Sequence, residues 1–434
     1  QINSETQELF GDEEAIDVIV VLKDDYGVLS KYGISDYNYK DDFEMKKLMI
    51  EKQQENVLED LKLKKDDVGF KIQSNEDYDF ELTNVYTTIN GFAGKLKKSG
   101  YQKLMDNPNV LKIYKPQQIT AFLSDSVGIV NATKVWSLIY NGTNITGKSE
   151  IVCVIDTGVD YTHAALGNCS TNEFTNGNCK KVIAGYDFVN DDIDSFDDNG
   201  HGTHVAGIVA SMDSTYKGVA PDASIVAIKV LDDTGFGISS NLISGIDWCV
   251  NNATKYNISV ITMSLGTTTL FTSHCDNDDT LLTSSIANAI AKNISVIAAT
   301  GNSQSKATIA SPACITNVTS VGATKKDDKI HFNRNIITDL LAPGFQIKST
   351  VPSSGCANCH PTGFKELSGT SMSTPHVAGA FALLRQYRRL EQISVLTPLQ
   401  IQDALNGTGV QIDDTGGGGS GLFFSRINIL SALL

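Results

Sequence analysis

Three short segments contain the residue types that a nucleophilic hydrolase needs. Asp156 stands in IVCVIDTGVD directly after an apolar run, His201 stands in NGHGTHVAGIVA, and Ser371 stands in GTSMSTPHVAGA at a Gly- and Thr-rich turn. A serine hydroxyl becomes a nucleophile when a neighbouring base takes its proton, and an imidazole base needs a carboxylate that fixes its tautomer. Each segment alone is a weak signal, but together they predict an Asp, His and Ser catalytic set.

The residues around these segments predict a parallel sheet that would hold them at one edge. From residue 150 onward, apolar runs of strand length alternate with helical stretches. The runs are 151–155, 225–230, 260–263 and 295–299, and the helical stretches are 204–211, 241–251 and 281–293. This alternation is typical of an α/β domain whose parallel sheet is covered on both faces. Functional residues collect at the carboxyl ends of such strands.

The front of the chain has a different composition and predicts a separate domain. Residues 1–122 contain 16 Lys, no Arg and 23 Asp plus Glu, and are about twice as charged per residue as the remainder. Strands are predicted at 16–22, 80–88, 92–96 and 110–114, with helices at 43–63 and 100–105, and the pair Asn90-Gly91 predicts a hairpin turn. The order βαββαβ is typical of a ferredoxin-like α+β domain. We therefore expect two domains, 1–122 and 123–434.

Composition excludes some function classes. The 434 residues have a net charge of −15, which repels nucleic acid and anionic membranes. No run of apolar residues is long enough for a membrane span. The eight cysteines are an even number, and nine Asn-x-Ser/Thr sequons occur in the chain, so we expect an exported, disulfide-bonded glycoprotein. The chain begins with Gln1, and we expect that a signal peptide has been removed.

Through the motifs around Asp156, His201 and Ser371, the chain resembles the subtilisin-like serine proteases, in which the catalytic residues also follow the order Asp, His, Ser. The front domain resembles the inhibitory propeptide of that family through INGFAGKL, from Ile89. The resemblance implies a three-layer α/β catalytic domain and a secreted serine endopeptidase made as an autoprocessing zymogen. Its partners would be peptide substrates and its own propeptide. The alternative is a catalytically inactive peptide-binding or scaffold protein on the same fold, against which the intact catalytic set argues.

The resemblance also implies an oxyanion hole and a substrate cleft. In SVIAATGNS, Asn302 follows Gly301, and its amide would act with the backbone N–H of Ser371 on the developing oxyanion. In VLDDTGFGISSNLISGIDW, Gly235 and Gly237 would lie close to the peptide backbone. The opposite edge would be Ser264, Leu265 and Gly266. A substrate would then add as an antiparallel strand between the two edges.

The resemblance also implies expectations about substrate specificity and activation. Ser239 occupies the position that often carries an aromatic gate, which predicts an open S4 pocket with Leu242 and Leu265 as apolar walls. The propeptide tail would lie in the cleft as a product does, with Ile119 at P4 and Phe122 at P1. The predicted autocleavage site is therefore the bond before Leu123, and we expect an apolar P1 preference.

No cofactor is expected for the chemistry, and a structural calcium site is doubtful. The aspartate of the family's strong site is absent from His163-Ala164-Ala165-Leu166, and the loop 212–218 is short. Asp339, in TDLLAPG, is a weak metal candidate. The acidic clusters 187–198 and 276–279 have ligands for a hard cation but no fixed spacing, so a solvated acidic loop is the alternative.

The remaining His and Cys residues have interpretations without a metal. His204 and His376 are expected to be structural, since HGTH lacks the glutamate of a zinc protease motif. Cys356-Ala-Asn-Cys359-His360 matches a haem-attachment pattern, and zinc is a second alternative, but a local disulfide is the preferred interpretation. We also expect the pairs Cys169 with Cys179 and, from related subtilases, Cys275 with Cys314. Cys153 and Cys249 are expected to be buried thiols.

Overall fold

A computed structural model describes most of the chain as two compact units. The described residues are 9–10, 13–23, 43–61, 63–66, 69–72, 79–116, 118–121, 126–392, 396–416 and 418–434. The first unit comprises residues 1–117 together with 239–247, and the second comprises 118–238 and 248–434. The predicted boundary residues Phe122 and Leu123 lie outside the described residues.

The first unit contains a four-stranded antiparallel sheet. The elements are β1 (Ala15–Leu22), α1 (Phe43–Asp60), β2 (Leu63–Asp66), β3 (Gly69–Ile72), β4 (Phe80–Val85), β5 (Gly91–Lys97), α2 (Lys98–Asp106) and β6 (Val110–Tyr114). The strand order β4-β5-β1-β6 is ferredoxin-like, which confirms the predicted α+β class. The short hairpin β2–β3 was not predicted, because its charged sequence lacks an apolar alternation.

The second unit is built on a large, mainly parallel sheet. Its strands are β7 (Gln118–Ala121), β8 (Ile139–Tyr140), β9 (Thr143–Asn144), β10 (Ile151–Asp156), β11 (Val182–Asp187), β12 (Ser224–Lys229), β13 (Phe236–Ile238), β14 (Ile258–Met263), β15 (Leu265–Thr267), β16 (Leu270–Phe271), β17 (Ser295–Ala299), β18 (Ile309–Ala310), β19 (Thr319–Thr324), β20 (Ile330–His331), β21 (Leu340–Pro343), β22 (Ile347–Thr350), β23 (Phe364–Leu367), β24 (Val410–Asp413) and β25 (Phe423–Arg426). The main sheet has the order β11-β12-β10-β14-β17-β19-β21-β25-β24. Every residue of β10, β14 and β17 is buried, as expected for strands covered on both faces.

The remaining helices follow β7 in the chain. They are α3 (Ala132–Trp136), α4 (Thr171–Thr175), α5 (His201–Ala210), α6 (Ser239–Tyr256), α7 (Thr280–Ala291), α8 (Thr370–Leu390), α9 (Pro398–Thr408) and α10 (Ile429–Leu433). Helix α6 begins within the segment 239–247 of the first unit. Helix α8 packs on β14, β17, β19 and β21, and also on α5, which in turn packs on β10. The predicted α/β class is therefore confirmed. Among the described residues, none of the helices has the length and apolar character needed to cross a membrane.

Residues 239–247 belong to the first unit, where Asp247 organises a turn after β4. The Asp247 carboxylate accepts hydrogen bonds from the backbone N–H groups of Thr87, at 3.1 Å, and Thr88, at 2.9 Å. The hydroxyl of Thr87 donates to the same carboxylate at 2.7 Å. Charge-assisted hydrogen bonds of this kind are stronger than neutral ones, so Asp247 fixes the 87–88 turn within this unit.

All eight cysteines are paired within the second unit. Cys169 with Cys179, Cys275 with Cys314 and Cys356 with Cys359 are joined as expected. The expectation of two free thiols was wrong, because Cys153 and Cys249 form a fourth disulfide across 96 residues of sequence. Cys153 lies on β10 and Cys249 on α6, and both are fully buried. A strand–helix contact of this kind has no signature in the spacing of the two residues.

The fourth disulfide predicts the mass of the intact protein. Each disulfide removes two hydrogens, so four disulfides should lower the mass by about 8 Da relative to the fully reduced chain. Mass spectrometry of the unreduced, unalkylated protein, with the reduced protein as the control, measures this difference. A deficit of about 6 Da, with Cys153 and Cys249 alkylated under denaturing conditions, would contradict the fourth pairing.

Candidate active site

The carboxyl ends of three adjacent strands carry the predicted site residues. Asp156 is the last residue of β10, Ser264 follows β14, and Asn302 lies shortly after β17. These strands are neighbours in the order β10-β14-β17 and are parallel to each other. Their carboxyl ends therefore meet at one edge of the sheet, where α/β proteins place their sites.

Asp156 orients the imidazole of His201. Its Oδ1 atom lies 2.6 Å from His201 Nδ1 and also accepts the N–H of Thr157 at 2.8 Å. Both side chains of the pair are fully buried. Because a carboxylate accepts and does not donate, Nδ1 carries the proton and Nε2 is the basic nitrogen. This is the tautomer that a general base needs in order to accept the proton of a serine.

A second buried carboxylate, Asp197, supports the turn before His201. It accepts hydrogen bonds from the hydroxyl of Thr157 at 2.8 Å, from the N–H of Gly200 at 2.8 Å and from the N–H of Thr203 at 2.8 Å. Burial raises the pKa of Asp197, and these hydrogen bonds oppose that shift. Sequence analysis missed this role, because Asp197 stands in an acidic run that was interpreted as a solvated loop or a cation site.

Ser371 is the second residue of α8, at the N-terminal end of the helix. Its Oγ donates to the carbonyl oxygen of Ser264 at 2.9 Å, and Ser264 Oγ donates to the carbonyl oxygen of Ser371 at 2.6 Å. Ser371 is fully buried. Helices α5 and α8, which begin at or next to His201 and Ser371, pack against each other. His201 and Ser371 therefore lie at the starts of two helices that pack against each other. Two hydrogen bonds attach Ser371 to Ser264, directly after β14.

The side-chain amide of Asn302 has a defined orientation. Its Oδ1 atom accepts hydrogen bonds from the N–H of Thr370 at 2.8 Å and from the Thr370 hydroxyl at 3.2 Å. The same hydroxyl accepts the N–H of Gly301 at 3.0 Å. Because only the oxygen of an amide can accept, the Nδ2 donors of Asn302 point away from Thr370. Gly301 has a φ of 109°, a conformation that favours glycine.

A three-stranded sheet occupies the predicted substrate edges. Strand β7 lies between β13 and β15 and is antiparallel to both. Ile119 is paired with Gly237 on one side and with Thr267 on the other, while Ala121 is paired with Leu265. Gly266 is paired with residue 120, and Gly235 precedes β13 with a φ of 82°. The two edges that the sequence predicted therefore both pair with the segment 118–121.

Three residues of the segment 236–242 need separate description. Ser239 and Leu242 are buried on α6, and their assignment to an S4 pocket stays a prediction. Phe236 on β13 is 48% exposed, although sequence analysis named only the glycines on either side of it. Phe236 lies between two glycines that were predicted to contact a peptide, so it could have been named from the motif as a further candidate contact residue.

The other buried histidines have structural contacts. His204 Nε2 lies 3.2 Å from the carbonyl oxygen of Ile347 and 3.1 Å from that of Lys365, so this nitrogen carries a proton. His376 Nδ1 lies 2.5 Å from the carbonyl oxygen of Met372. Burial lowers the pKa of His204 to about 3 and that of His376 to about 4. Both are neutral hydrogen-bond donors, in agreement with their predicted structural role and not with the zinc alternative.

The candidate metal residues are engaged with the protein itself. Asp339 Oδ2 accepts the N–H of Ser320 at 2.8 Å and its hydroxyl at 2.7 Å, while Oδ1 accepts Gln402 Nε2 at 2.9 Å. In the acidic clusters, Asp187 Oδ1 accepts the N–H of Val189 at 2.7 Å, and Asp279 accepts a backbone N–H at the start of α7. Across the described ranges of the chain, no group of three or more His, Cys, Asp or Glu residues could hold a metal.

Comparison with known proteins agrees with this geometry. A model of the subtilase family matches residues 147–421, and a model of peptidase inhibitor I9 matches residues 17–121. Subtilisin DY of Bacillus licheniformis is 35% identical over 303 residues, which cover 68% of this chain and 94% of that protein. Alkaline serine exoprotease A of Vibrio alginolyticus is 32% identical and covers 80% of this chain, but the chain spans only 61% of that protein's length. Serine protease AprX of Bacillus subtilis is 31% identical, with 76% of each chain covered.

The family of the chain follows from the match to the family model, and the buried Asp156–His201 pair and the position of Ser371 at the start of a helix agree with it. The chain belongs to the subtilase family of serine proteases, and its front part carries an inhibitor I9 domain. The predicted resemblance is confirmed. No observation favours the inactive scaffold protein: Asp156 ends β10, His201 begins α5, Ser371 is the second residue of α8, and Asn302 lies three residues after β17.

The orientation of Asn302 can be tested with substitutions on either side of its hydrogen bond. We expect Asn302→Ala to lower kcat by about 10²–10³-fold with little change in KM, because the lost donor acts chiefly in the transition state. Thr370→Val removes the hydroxyl that links Gly301 to Asn302, and should lower kcat roughly tenfold. Thr370→Ser keeps the hydroxyl and is the matched control. Steady-state kinetics that give Asn302→Ala a kcat within threefold of the unsubstituted enzyme would contradict the assignment.

The low pKa of His204 predicts acid-sensitive stability. The imidazole stays neutral in the folded protein down to a pH of about 3, whereas in the unfolded chain it is protonated below about 6.5. The unfolded state therefore binds more protons between these values, and the free energy of unfolding should fall by up to several kcal/mol as pH drops from 6.5 towards 3.

Urea unfolding in a Ser371→Ala background, which prevents autolysis, measures this dependence. Fluorescence of Trp136 and Trp248 reports on the second unit, because these are the two tryptophans of the chain. His204→Gln keeps an N–H donor for the two carbonyls and should flatten the slope below pH 6.5. His360→Gln, at an exposed histidine, is the control. Equal slopes for His204→Gln and the control would show that His204 does not cause the loss.

Proposed function

We propose that the chain is the zymogen of a secreted serine endopeptidase, in which residues 1–122 template folding, are cleaved off at the bond between Phe122 and Leu123, and inhibit the catalytic domain until they are degraded. Peptides bind as an added strand, with a preference for an apolar P1 side chain. The observation that carries this proposal is the antiparallel pairing of residues 118–121 with both β13 and β15. This is the pairing expected of a peptide substrate added to two sheet edges.

The catalytic steps follow from the geometry of the second unit. Ser371 Oγ leaves its hydrogen bond to Ser264, gives its proton to His201 Nε2 and attacks the scissile carbonyl carbon. The Nδ2 donor of Asn302 and the backbone N–H of Ser371 stabilise the oxyanion. His201 then protonates the leaving amine, and an acyl-enzyme remains. Water, deprotonated by His201, attacks the acyl carbon and regenerates the serine.

The register of β7 supports the proposed cleavage site. Ala121 is paired with Leu265, and the residue before Leu265 is Ser264, whose carbonyl oxygen accepts the hydroxyl of Ser371. The last paired residue of β7 therefore lies opposite the neighbour of the residue that contacts Ser371. Phe122, the proposed P1 residue, follows Ala121 immediately in the sequence. A tail tethered to its own domain competes with substrate at a high effective concentration, which is the basis of the proposed inhibition.

Substrate preference beyond P1 is proposed from the residue types at the edges. Ser239 in place of an aromatic gate would leave room for a large apolar P4 side chain between Leu242 and Leu265. Ile119 at P4 of the proposed autocleavage site suits such a pocket. The tail sequence and the pocket sequence are independent parts of the chain, and they lead to the same preference.

Export is proposed from the cysteines and sequons. Four disulfides require an oxidising compartment. Six of the nine sequon asparagines are exposed, as glycosylation requires: Asn141, Asn144, Asn168, Asn257, Asn317 and Asn406.

Removal of the nucleophile tests the zymogen proposal. We expect Ser371→Ala to accumulate as the uncleaved chain, because the loss of one oxygen atom leaves the fold intact but removes the attacking group. The unsubstituted protein should yield a mature chain that begins at Leu123, which N-terminal sequencing detects. Cys169→Ala/Cys179→Ala, which keeps Asp156, His201 and Ser371, is a processing control. A mature chain that begins before Val110, or an uncleaved chain with full peptidase activity, would contradict the proposal.

A further inference from the structure

The Cys356–Cys359 disulfide differs from the other three in exposure and ring size. It joins cysteines three residues apart, in the connection between β22 and β23. The six other cysteines are all buried, with at most 8% of their surface exposed, and their disulfides span 10, 39 and 96 residues. Cys356 and Cys359 are both partly exposed. Because both sulfurs are used in the disulfide, neither haem attachment nor zinc ligation accounts for this motif.

Asn358, one of the two residues between these cysteines, contacts the segment that leads into His201. The backbone N–H of Asn358 donates to the carbonyl oxygen of Asn199 at 2.9 Å, and Asn358 Nδ2 donates to Asn199 Oδ1 at 3.0 Å. A β-carbon on Gly200 would lie 3.2 Å from Cys356 Sγ and 3.0 Å from Asn358 Cβ. Gly200 has a φ of 97° and directly precedes His201. The disulfide loop therefore packs directly on the backbone that begins α5.

Asn199 connects the disulfide loop to His201 and to the loop before β13. Its Oδ1 atom also accepts the N–H of His201 at 3.2 Å, and its Nδ2 atom donates to the carbonyl oxygen of Asp233 at 2.8 Å. Asp233 lies two residues before Gly235, at the start of the substrate-binding edge. One hydrogen bond from Asn358 thus holds the Asn199 backbone, and the other holds its side chain, which contacts both the first residue of α5 and the loop before β13.

We propose that Cys356–Cys359 is a thiol–disulfide exchange site for small dithiols, and that its redox state changes the turnover of the protease through Asn358 and Asn199. Asn358 and Asn199 are positioning residues for His201. The inference concerns the rate of the serine protease chemistry and does not depend on the proposed autocleavage bond.

The exchange reaction is balanced by the dithiol. A thiolate of the reagent attacks one sulfur of the disulfide, forms a mixed disulfide and releases the other cysteine as a thiolate. The second thiol of the reagent then displaces the protein sulfur and closes the reagent's own disulfide. In sum, Cys356 and Cys359 gain two electrons and two protons, and the dithiol loses them.

Two physical factors favour selective reduction at this site. A dithiol must reach a sulfur atom, and only this pair is partly exposed. A disulfide that closes a short loop also constrains the unfolded chain less than one that closes a long loop, so its reduction removes less stability. The two ends of the loop between β22 and β23 are joined without the disulfide, since the N–H of Val351 donates to the carbonyl oxygen of Gly363 at 2.8 Å. Reduction therefore frees the loop tip and leaves β22 and β23 paired.

The first experiment follows reduction and turnover in the same samples. Enzyme produced from the full chain is incubated with increasing dithiothreitol, alkylated and mapped by peptide mass spectrometry, while kcat is normalised by fluorophosphonate titration. We expect Cys356 and Cys359 to be labelled first, and kcat to fall about fivefold as two hydrogen bonds are weakened, with KM within twofold. The number of titratable sites should stay constant, and reoxidation should restore kcat. Labelling of this pair with no change in kcat would overturn the proposal.

Variants separate positioning from a structural effect. Cys356→Ser/Cys359→Ser should have the lowered kcat from the start and no response to dithiothreitol, while Cys169→Ser/Cys179→Ser is the matched disulfide control and should respond as the unsubstituted enzyme does. Asn358→Ala keeps the disulfide, and should show the lowered kcat with an unchanged melting temperature and no further fall on reduction. An Asn358→Ala enzyme with unchanged kcat, or a Cys356→Ser/Cys359→Ser enzyme that still responds, would overturn the proposal. A protein with no titratable serine would instead refute the protease assignment.

Discussion

The hydrogen bond between Asp156 and His201 imposes the strictest condition on the second unit, because both side chains are fully buried. An ionised carboxylate away from water is stable only when its oxygen atoms are well satisfied. Asp156 meets this condition at one oxygen only: Oδ1 contacts His201 Nδ1 and accepts the N–H of Thr157, while the buried Oδ2 has no hydrogen-bond partner in the described part of the chain. The parallel sheet therefore positions Asp156, and the turn after β10 provides a backbone hydrogen bond in place of water.

The same solution is repeated around the site. Asp197 is satisfied by the turn before His201, and Asn302 by Thr370 at the start of α8. In each case an acceptor oxygen is held by backbone N–H groups at a strand end or a helix start, where such groups have no partner within the element. These hydrogen bonds lie within the protein and need no substrate atom. Preorganised dipoles of this kind lower the energy of a developing charge without reorganisation in the transition state.

The sequence was sufficient for the features that depend on local pattern. Apolar runs and small-residue turns predicted β10, β14 and β17 and singled out the three candidate catalytic residues, because strand burial and turn chemistry are visible in short windows. Contacts between distant residues were not visible in this way. Cys153 was expected to be a thiol because nothing near it identifies Cys249 as its partner. Asp197 was not separated from its exposed acidic neighbours, since residue type alone does not reveal which carboxylate of a run is buried.

The substrate edges show why inhibition and specificity are linked in this architecture. Strands β13 and β15 each pair with β7 through the main chain, and main-chain hydrogen bonds do not distinguish a substrate from a tethered tail. On the proposed scheme, discrimination must then come from side chains along the edges and from the tether. On this scheme, a tail with favourable side chains would be bound well and also cleaved well, and cleavage would remove the covalent tether that raises its local concentration. Inhibition after cleavage would then depend on the affinity of the folded front domain, whose small core lies around Phe80 and Phe92.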